Sequence, residues 1–516
     1  MNPNAPRNEE VSRDEDYALP DAPDSSDSES GIETAGTNQK PNDLLKEVMT
    51  WKLDAKMEDP QRYFFHVREA EQAVRGERCY IIGRKGAGKT AISEYISKVQ
   101  NAKVFTEKLT FKNFPFNDLY QHPNNQFKAP NQYITLWKYL IYSFICRMMV
   151  RNENINPTVR ASLAKVYQPD AIKSLTRAVK GWTSKEFQVT ILGTGGAIKL
   201  ANPETESQTI PERCDALEDV ILEHLDDSNY YIIFDELDED FKDILKAKQN
   251  LEYIALITSL FKAVQDIKSV FKGARYKVYP LVFLRDDIYD FIGDPDKNKW
   301  NDYRIDLEWN QEKIKDLLAF RLSRALDPTG KILSFDVVWS LFFTQNTIHF
   351  GDRGRSVTTI FSYITRSTHL RPRDYVKYLQ ACAAEAINAG RSRVRPGIVR
   401  RVDKAFSNYL RNEIVDEVQA IIPDINQVLD VFSEIRKQIL SQEEFRTAYV
   451  RRAKQENWII KDPDYVLRIL FHFSVIGNQT RQKNLKIFFY LNKESRLNTS
   501  ELIVVHRGLF KSLQIM

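Results

Sequence analysis

One stretch of eight residues constrains this 516-residue chain more than any other. Gly83-Arg84-Lys85-Gly86-Ala87-Gly88-Lys89-Thr90 has the spacing G-x-x-x-x-G-K-[ST] and lies between an apolar run, Arg78 to Ile82, and a helical pattern from about Thr90. Each position has a physical reason. Glycines let the backbone wrap closely enough for amide hydrogens to meet phosphate oxygens. The following helix points the positive end of its dipole at the same anion. Lys89 brings a mobile positive charge to the outer phosphates, and the Thr90 hydroxyl is placed to ligate Mg2+.

Such a loop needs a buried strand before it, and the chain supplies companion strands. Short apolar runs occur at Lys103 to Phe111, Tyr230 to Phe234, Val278 to Leu284 and Tyr303 to Leu307. Helical patterns separate them, at about Leu251 to Val270 and, after the last, Gln311 to Leu326. Apolar strands alternating with helices predict an α/β fold, a parallel sheet with helices on both faces. Pro280 counts against the third of these runs, because it removes a ladder hydrogen bond. Between the second strand and Tyr230 the pattern predicts an inserted element at about 112–225. It holds helices at Asn131 to Val150, Asp170 to Trp182 and Cys214 to Leu225, and a hairpin at Phe187 to Leu200. The expected division is an acidic tail at 1–43, a core at 44–327, a helical lid at 328–420 and a C-terminal module at 421–516 with paired strands at Leu485 to Leu491 and Glu501 to Val505.

Composition sets the remaining bounds. A hydrophobic fraction of 42% and a charged fraction of 28% are those of a globular protein. Residues 1–40 carry −7 of charge against a total of +4, so the rest carries +11. The acidic tail lacks the apolar groups needed to offset chain entropy and reads as disordered. The mildly basic body allows a nucleic-acid partner without requiring one. Four scattered cysteines, Cys79, Cys146, Cys214 and Cys382, have neither metal-ligand nor redox-pair spacing and fit a reducing, cytoplasmic setting. No membrane span is expected. The apolar stretch Ile134 to Val150 is interrupted by Lys138 and Arg147 and reads as a buried helix.

Four further groups carry candidate chemistry. The run Tyr230 to Phe234 ends in Asp235-Glu236. An acidic residue at such a strand end holds Mg2+, directly or through water, and is assigned to Asp235. Glu236 is the candidate general base for the attacking water. Asp238 and Glu239 compete for these roles. The run Val282 to Leu284 ends in Arg285-Asp286-Asp287, where Arg285 or Asp286 is placed to sense the outer phosphate, with a structural salt bridge as the alternative. Arg371-Pro372-Arg373-Asp374 opens a helix in the lid; Arg373 is the candidate to reach the phosphates from there. A basic run, Arg391, Arg393, Arg395, Arg400, Arg401 and Lys404, reads as a solvated helix entry or as a grip on nucleic-acid phosphates.

In combination these features resemble the AAA+-like branch of phosphate-loop ATPases, which includes the origin-recognition, STAND and KAP-like groups. More closely, the loop together with Phe234 to Glu239, Phe283 to Ile288 and Arg371 to Asp374 is similar to a family of bacterial ATPases often found near mobile-element and phage-defence genes. The resemblance spans about residues 60–410 and, more loosely, the tail. It implies a P-loop NTPase core, a helical lid and a C-terminal winged-helix-like module. It implies ATP and Mg2+ as cofactors, bound by Gly83 to Thr90 and coordinated by Asp235, with Glu236 catalytic. Arg285 falls where related groups often carry asparagine, a departure from the pattern. GTP is disfavoured, since Asn298-Lys299-Trp300-Asn301 is the nearest approach to a guanine-reading loop and ends in the wrong residue.

The expectation is an ATP-hydrolysing switch that passes its nucleotide state to a protein partner or effector through the C-terminal module, in anti-phage defence. A homo-oligomer is compatible with it. The rival expectations are a DNA-linked ATPase (a loader, remodeller or origin-type protein) and a module that binds nucleotide without turning it over.

Overall fold

The computed structural model describes residues 41–99, 101–110, 131–167, 175–183, 189–192, 197–200, 209–238, 247–273, 275–351, 354–480 and 485–515. Residues 1–40 of the acidic tail, Glu239 and the tip of the inserted hairpin lie outside the described residues; the last three tail residues, Pro41 to Asp43, begin helix Pro41–Thr50. By its contacts the chain forms two compact units. One is Asp54–Glu308; the other joins the N-terminal segment ending at Leu53 to Trp309–Met516.

The first unit is built on a parallel sheet. Its strands are β1 (Tyr80–Ile82), β2 (Val104–Thr110), β5 (Asn229–Asp235), β6 (Lys277–Leu284) and β7 (Arg304–Asp306), in the order β2-β5-β6-β1-β7. Tyr80, Ile81 and Ile82 are buried throughout, as are Tyr230 to Asp235. Continuous burial explains why these strands read as unbroken apolar runs: helices cover the sheet and leave no wet face to alternate. Register places the functional ends side by side. Ile82 pairs with Leu284 across β1 and β6, and Phe234 with Val282 across β5 and β6.

Pro280 is accommodated by strand length. Val282 donates its N–H to Cys79 on the β1 side. Two residues earlier, Pro280 faces that same side before β1 has begun, so no ladder bond is lost. The inserted element contributes helices Ile134–Arg151, Leu175–Thr183 and Ile210–His224 and an antiparallel hairpin, β3 (Val189–Leu192) with β4 (Ala197–Leu200). Helix Ile134–Arg151 is buried over most of its circumference, as a helix apolar on every side must be. No helix among the described residues is long and apolar enough to cross a membrane.

The second unit is mainly helical. Helices Gln311–Leu326, Phe335–Phe342, Ile360–Thr365, Pro372–Asn388 and Pro396–Val418 form the lid region. Here the structure differs from the sequence reading in two ways. A short hairpin, β8 (Thr347–Phe350) with β9 (Ser356–Thr359), interrupts the helices. And helix Pro41–Thr50 packs with Gln311–Leu326 and Pro372–Asn388, within the second compact unit. Trp51 fixes this arm: its carbonyl accepts from Gln380 at 2.5 Å, and Arg321 lies 4.6 Å above its ring.

The chain ends in a winged-helix-like module. Helix Ile425–Ile435 leads to β10 (Ile439–Leu440), two helices (Gln442–Gln455, Pro463–His472), then β11 (Ile476–Gln479), β12 (Lys486–Ile487) and β13 (Leu502–Val505). The sheet is antiparallel in the order β10-β13-β11-β12. The strands expected at 485–491 and 501–505 are thus not neighbours; β11 runs between them. The fold is therefore α/β, a P-loop NTPase sheet with a helical lid and a C-terminal winged-helix-like module.

Candidate nucleotide site

Gly83 to Gly88 leave the carboxyl end of β1 and enter helix Lys89–Ser97. Gly86 (φ 80°) and Gly88 (φ 102°) adopt left-handed conformations that disfavour a side chain. Gly88 is the N-cap, and no cap side chain accepts from the first turn. That turn therefore presents its amides and its positive dipole end to an anion.

Lys89 curls over its own loop. Its Nζ donates to the carbonyls of Gly83 at 2.7 Å and Arg84 at 3.1 Å. Burial lowers the pKa of its ammonium; Asp238 and Asp286 oppose this, Arg285 reinforces it and Asp235 opposes it. A partly desolvated cation beside a helix N-terminus is suited to phosphate.

Asp235 ends β5, buried with 2% exposure. Its Oδ2 accepts from Ser93 Oγ at 2.5 Å and lies 3.2 Å from Lys108 Nζ. Its Oδ1 accepts the N–H of Glu236 at 2.9 Å. Ser93 is one turn beyond Thr90 on the loop helix, so its bond to Asp235 brings Thr90 and Asp235 to the same edge of the site. A hydroxyl and a carboxylate, completed by phosphate and water oxygens, are a suitable donor set for Mg2+. Lys108, on β2, also pairs with Glu94 at 2.7 Å and donates to Ser93 Oγ at 2.8 Å. Sequence reasoning passed over Ser93, Glu94 and Lys108. The available signal was a lysine inside a strand that turns out to border the acidic strand end.

Glu236 has φ 57°, a left-handed backbone uncommon for a residue with a side chain. Its carboxylate pairs with Lys56, and its Oε2 is buried with no hydrogen-bond partner. Strained backbone and an unsatisfied buried oxygen both cost free energy, and such features cluster at functional sites.

Arg285 follows β6 and forks onto Asp287, with Nε at 2.9 Å and Nη2 at 2.5 Å; Asp238 lies 3.5 Å from its Nη1. This is the geometry of the salt-bridge alternative. Lys89, Thr90, Asp235, Glu236 and Arg285 all lie in the first unit. Arg373 belongs to the second, where its Nη1 donates to Glu413 at 3.3 Å. Its neighbour Arg371 is an internal tie, 2% exposed, donating to Asp374 at 3.0 Å and Glu417 at 2.7 Å.

A protein-family model described as a FunZ-associated C-terminal helical domain matches residues 312–415, the span of the lid helices. No curated protein matches the chain. Among solved structures, the chain is similar to the Orc1 protein of Aeropyrum pernix in complex with DNA, at 12% identity, over 90% of this chain and 96% of that one, with a TM-score of 0.39. It is similar to the Orc2 protein of the same organism (ADPNP–ADP complexes) at 12% identity, over 87% and 92%, TM-score 0.39. Drosophila ORC bound to DNA matches at 9% identity, over 95% and 94%, TM-score 0.32. At scores this low, the fold assignment rests on the strand order and the loop of this chain.

Proposed function

We infer that the chain binds ATP with Mg2+ and hydrolyses it as a molecular switch. The observation that carries this reading is the convergence, at the carboxyl ends of β1 and β5, of the Gly83 to Thr90 loop, the buried Asp235 bonded to the loop helix through Ser93, and Glu236. Phosphates lie against the helix N-terminus and Lys89. Thr90 and Asp235 hold Mg2+, which neutralises charge on the phosphates. Asp235 has both oxygens engaged by protein donors, which favours holding the ion through its water shell. Glu236 takes the proton of the attacking water. Arg373 is the lid arginine proposed to meet the outer phosphate, and Arg285 positions Asp238 and Asp287. The winged-helix-like module passes the nucleotide state to a protein partner. The motif resemblance is what supports a setting in bacterial anti-phage defence.

A DNA-linked ATPase is the second reading. It is favoured by the winged-helix-like topology and by the exposed side chains of Arg391, Arg400, Arg401 and Lys404 around the start of helix Pro396–Val418. Arg401 is engaged by Glu385 at 3.1 Å, and Arg400 donates to the His349 carbonyl at 3.1 Å. One experiment separates the readings: Mg2+-dependent phosphate release with and without duplex DNA. The switch reading predicts turnover indifferent to DNA. Stimulation by DNA, with binding that weakens steeply with salt and loses slope when Arg400 and Lys404 are neutralised, would establish the second.

A further inference from the structure

The candidate base is not offered to water. Lys56 Nζ holds Glu236 Oε1 in an ion pair whose side chains are 30% and 18% exposed. The other oxygen, Oε2, is shielded from solvent and has no partner among the described residues. A carboxylate acts as a general base through a lone pair that can accept a proton from water. Here Lys56 competes with water for Oε1, and Oε2 is shut from solvent.

Lys56 is placed for this role by local structure. It lies in the short 3-10 turn Ala55–Met57, whose start is fixed by Asp54 Oδ1 accepting the Lys56 N–H at 3.0 Å. That turn packs on the phosphate-loop helix Lys89–Ser97. Lys56 is three residues beyond Leu53, where the chain leaves one compact unit for the other. The segment carrying the ammonium is therefore both a neighbour of the nucleotide loop and a covalent link between the units.

We propose that the Lys56–Glu236 ion pair is a latch that keeps the candidate base at rest, and that it opens when ATP and Mg2+ occupy the phosphate loop. Opening frees Oε1 to accept a proton from water and relieves the buried, unpartnered Oε2. This regulation rests on the ATPase reading above, and its test is arranged so that the two can fail separately.

The test has two arms. In the first, phosphate release is measured for the full chain, for Lys56→Met and for Lys56→Arg. The latch predicts that Lys56→Met raises kcat at least threefold with KM little changed, and that Lys56→Arg, which keeps the charge, stays near the parent rate. An unchanged or lower rate in Lys56→Met overturns the latch; a lower rate makes Lys56 an aid to catalysis. In the second, a zero-length carbodiimide couples Lys56 to Glu236, and the linked peptides are quantified by mass spectrometry. The adduct should form without nucleotide and fall at least fivefold with a non-hydrolysable ATP analogue and Mg2+. Equal yields overturn the latch. Should the parent and Lys56→Met both lack turnover, the ATPase reading fails, while the cross-linking arm still decides the latch.

Discussion

Replacing Glu236 by glutamine is expected to lower ATP turnover by about 10²–10⁴-fold while leaving ATP bound, the range for losing a positioned general base. The substitution keeps the size of the side chain and removes only its ability to take a proton. The Glu236 N–H still bonds to Asp235 Oδ1, so the proposed Mg2+ ligand stays in place. Steady-state phosphate release beside equilibrium nucleotide binding separates the two effects. Turnover within about tenfold of the parent would move the base elsewhere, since a true general base contributes more than that. Asp238 is a poor substitute, because it faces the Arg285 guanidinium.

Arg371→Ala is expected to destabilise the second unit by about 3–5 kcal/mol, the cost of stranding buried partners of a removed charge. Arg371 meets Asp374, which is fully buried, and Glu417, 6% exposed. Burial alone would lower the guanidinium's pKa; Asp374 and Glu417 outweigh it and raise the net value. Without the arginine, Asp374 and Glu417 lose the guanidinium that both meet inside a dry site. Urea unfolding reads the loss as a lower midpoint with the slope preserved. Arg371→Lys should recover only part, because lysine lacks the planar fork that meets both acids. A midpoint unchanged in Arg371→Ala would show that the triad contributes nothing, and Arg371 would return as a candidate for the phosphates.

The parts of this architecture that were legible in sequence were those whose local pattern fixes their environment. The phosphate loop is read from its glycines, and β1 and β5 from apolar runs that do not alternate because both faces are covered. The acidic end of β5 is read because a strand so apolar ends abruptly in Asp235-Glu236. What was hidden depends on partners distant in sequence. Helix Pro41–Thr50 shows helical periodicity, but nothing local says that it packs on Pro372–Asn388. In the hairpin β8–β9, polar and apolar residues alternate in Thr347-Ile348-His349-Phe350, but over four positions only, too short a run to stand out among helical patterns. Ile476-Gly477-Asn478-Gln479 was not singled out in the sequence; with glycine and asparagine at its centre it becomes β11 through pairing with β12 and β13. Lys56 had no signal at all, since its place beside Glu236 comes from the turn that packs on the loop helix. Arg371 and Arg373 share one motif, yet only the structure separates an internal tie from a residue held by one partly exposed acid.

The most direct test of the central claim is calorimetric titration of the protein with Mg2+-ATP, parent beside Lys89→Ala. Removing the ammonium deletes charge-assisted bonds worth about 1.5–3 kcal/mol, so affinity should fall by at least about tenfold, with the urea midpoint unchanged. Saturable binding by the parent, weakened in this way, is the predicted result. Equal affinity in both proteins, or no binding by the folded parent, would contradict the assignment of Gly83 to Thr90 as a nucleotide site.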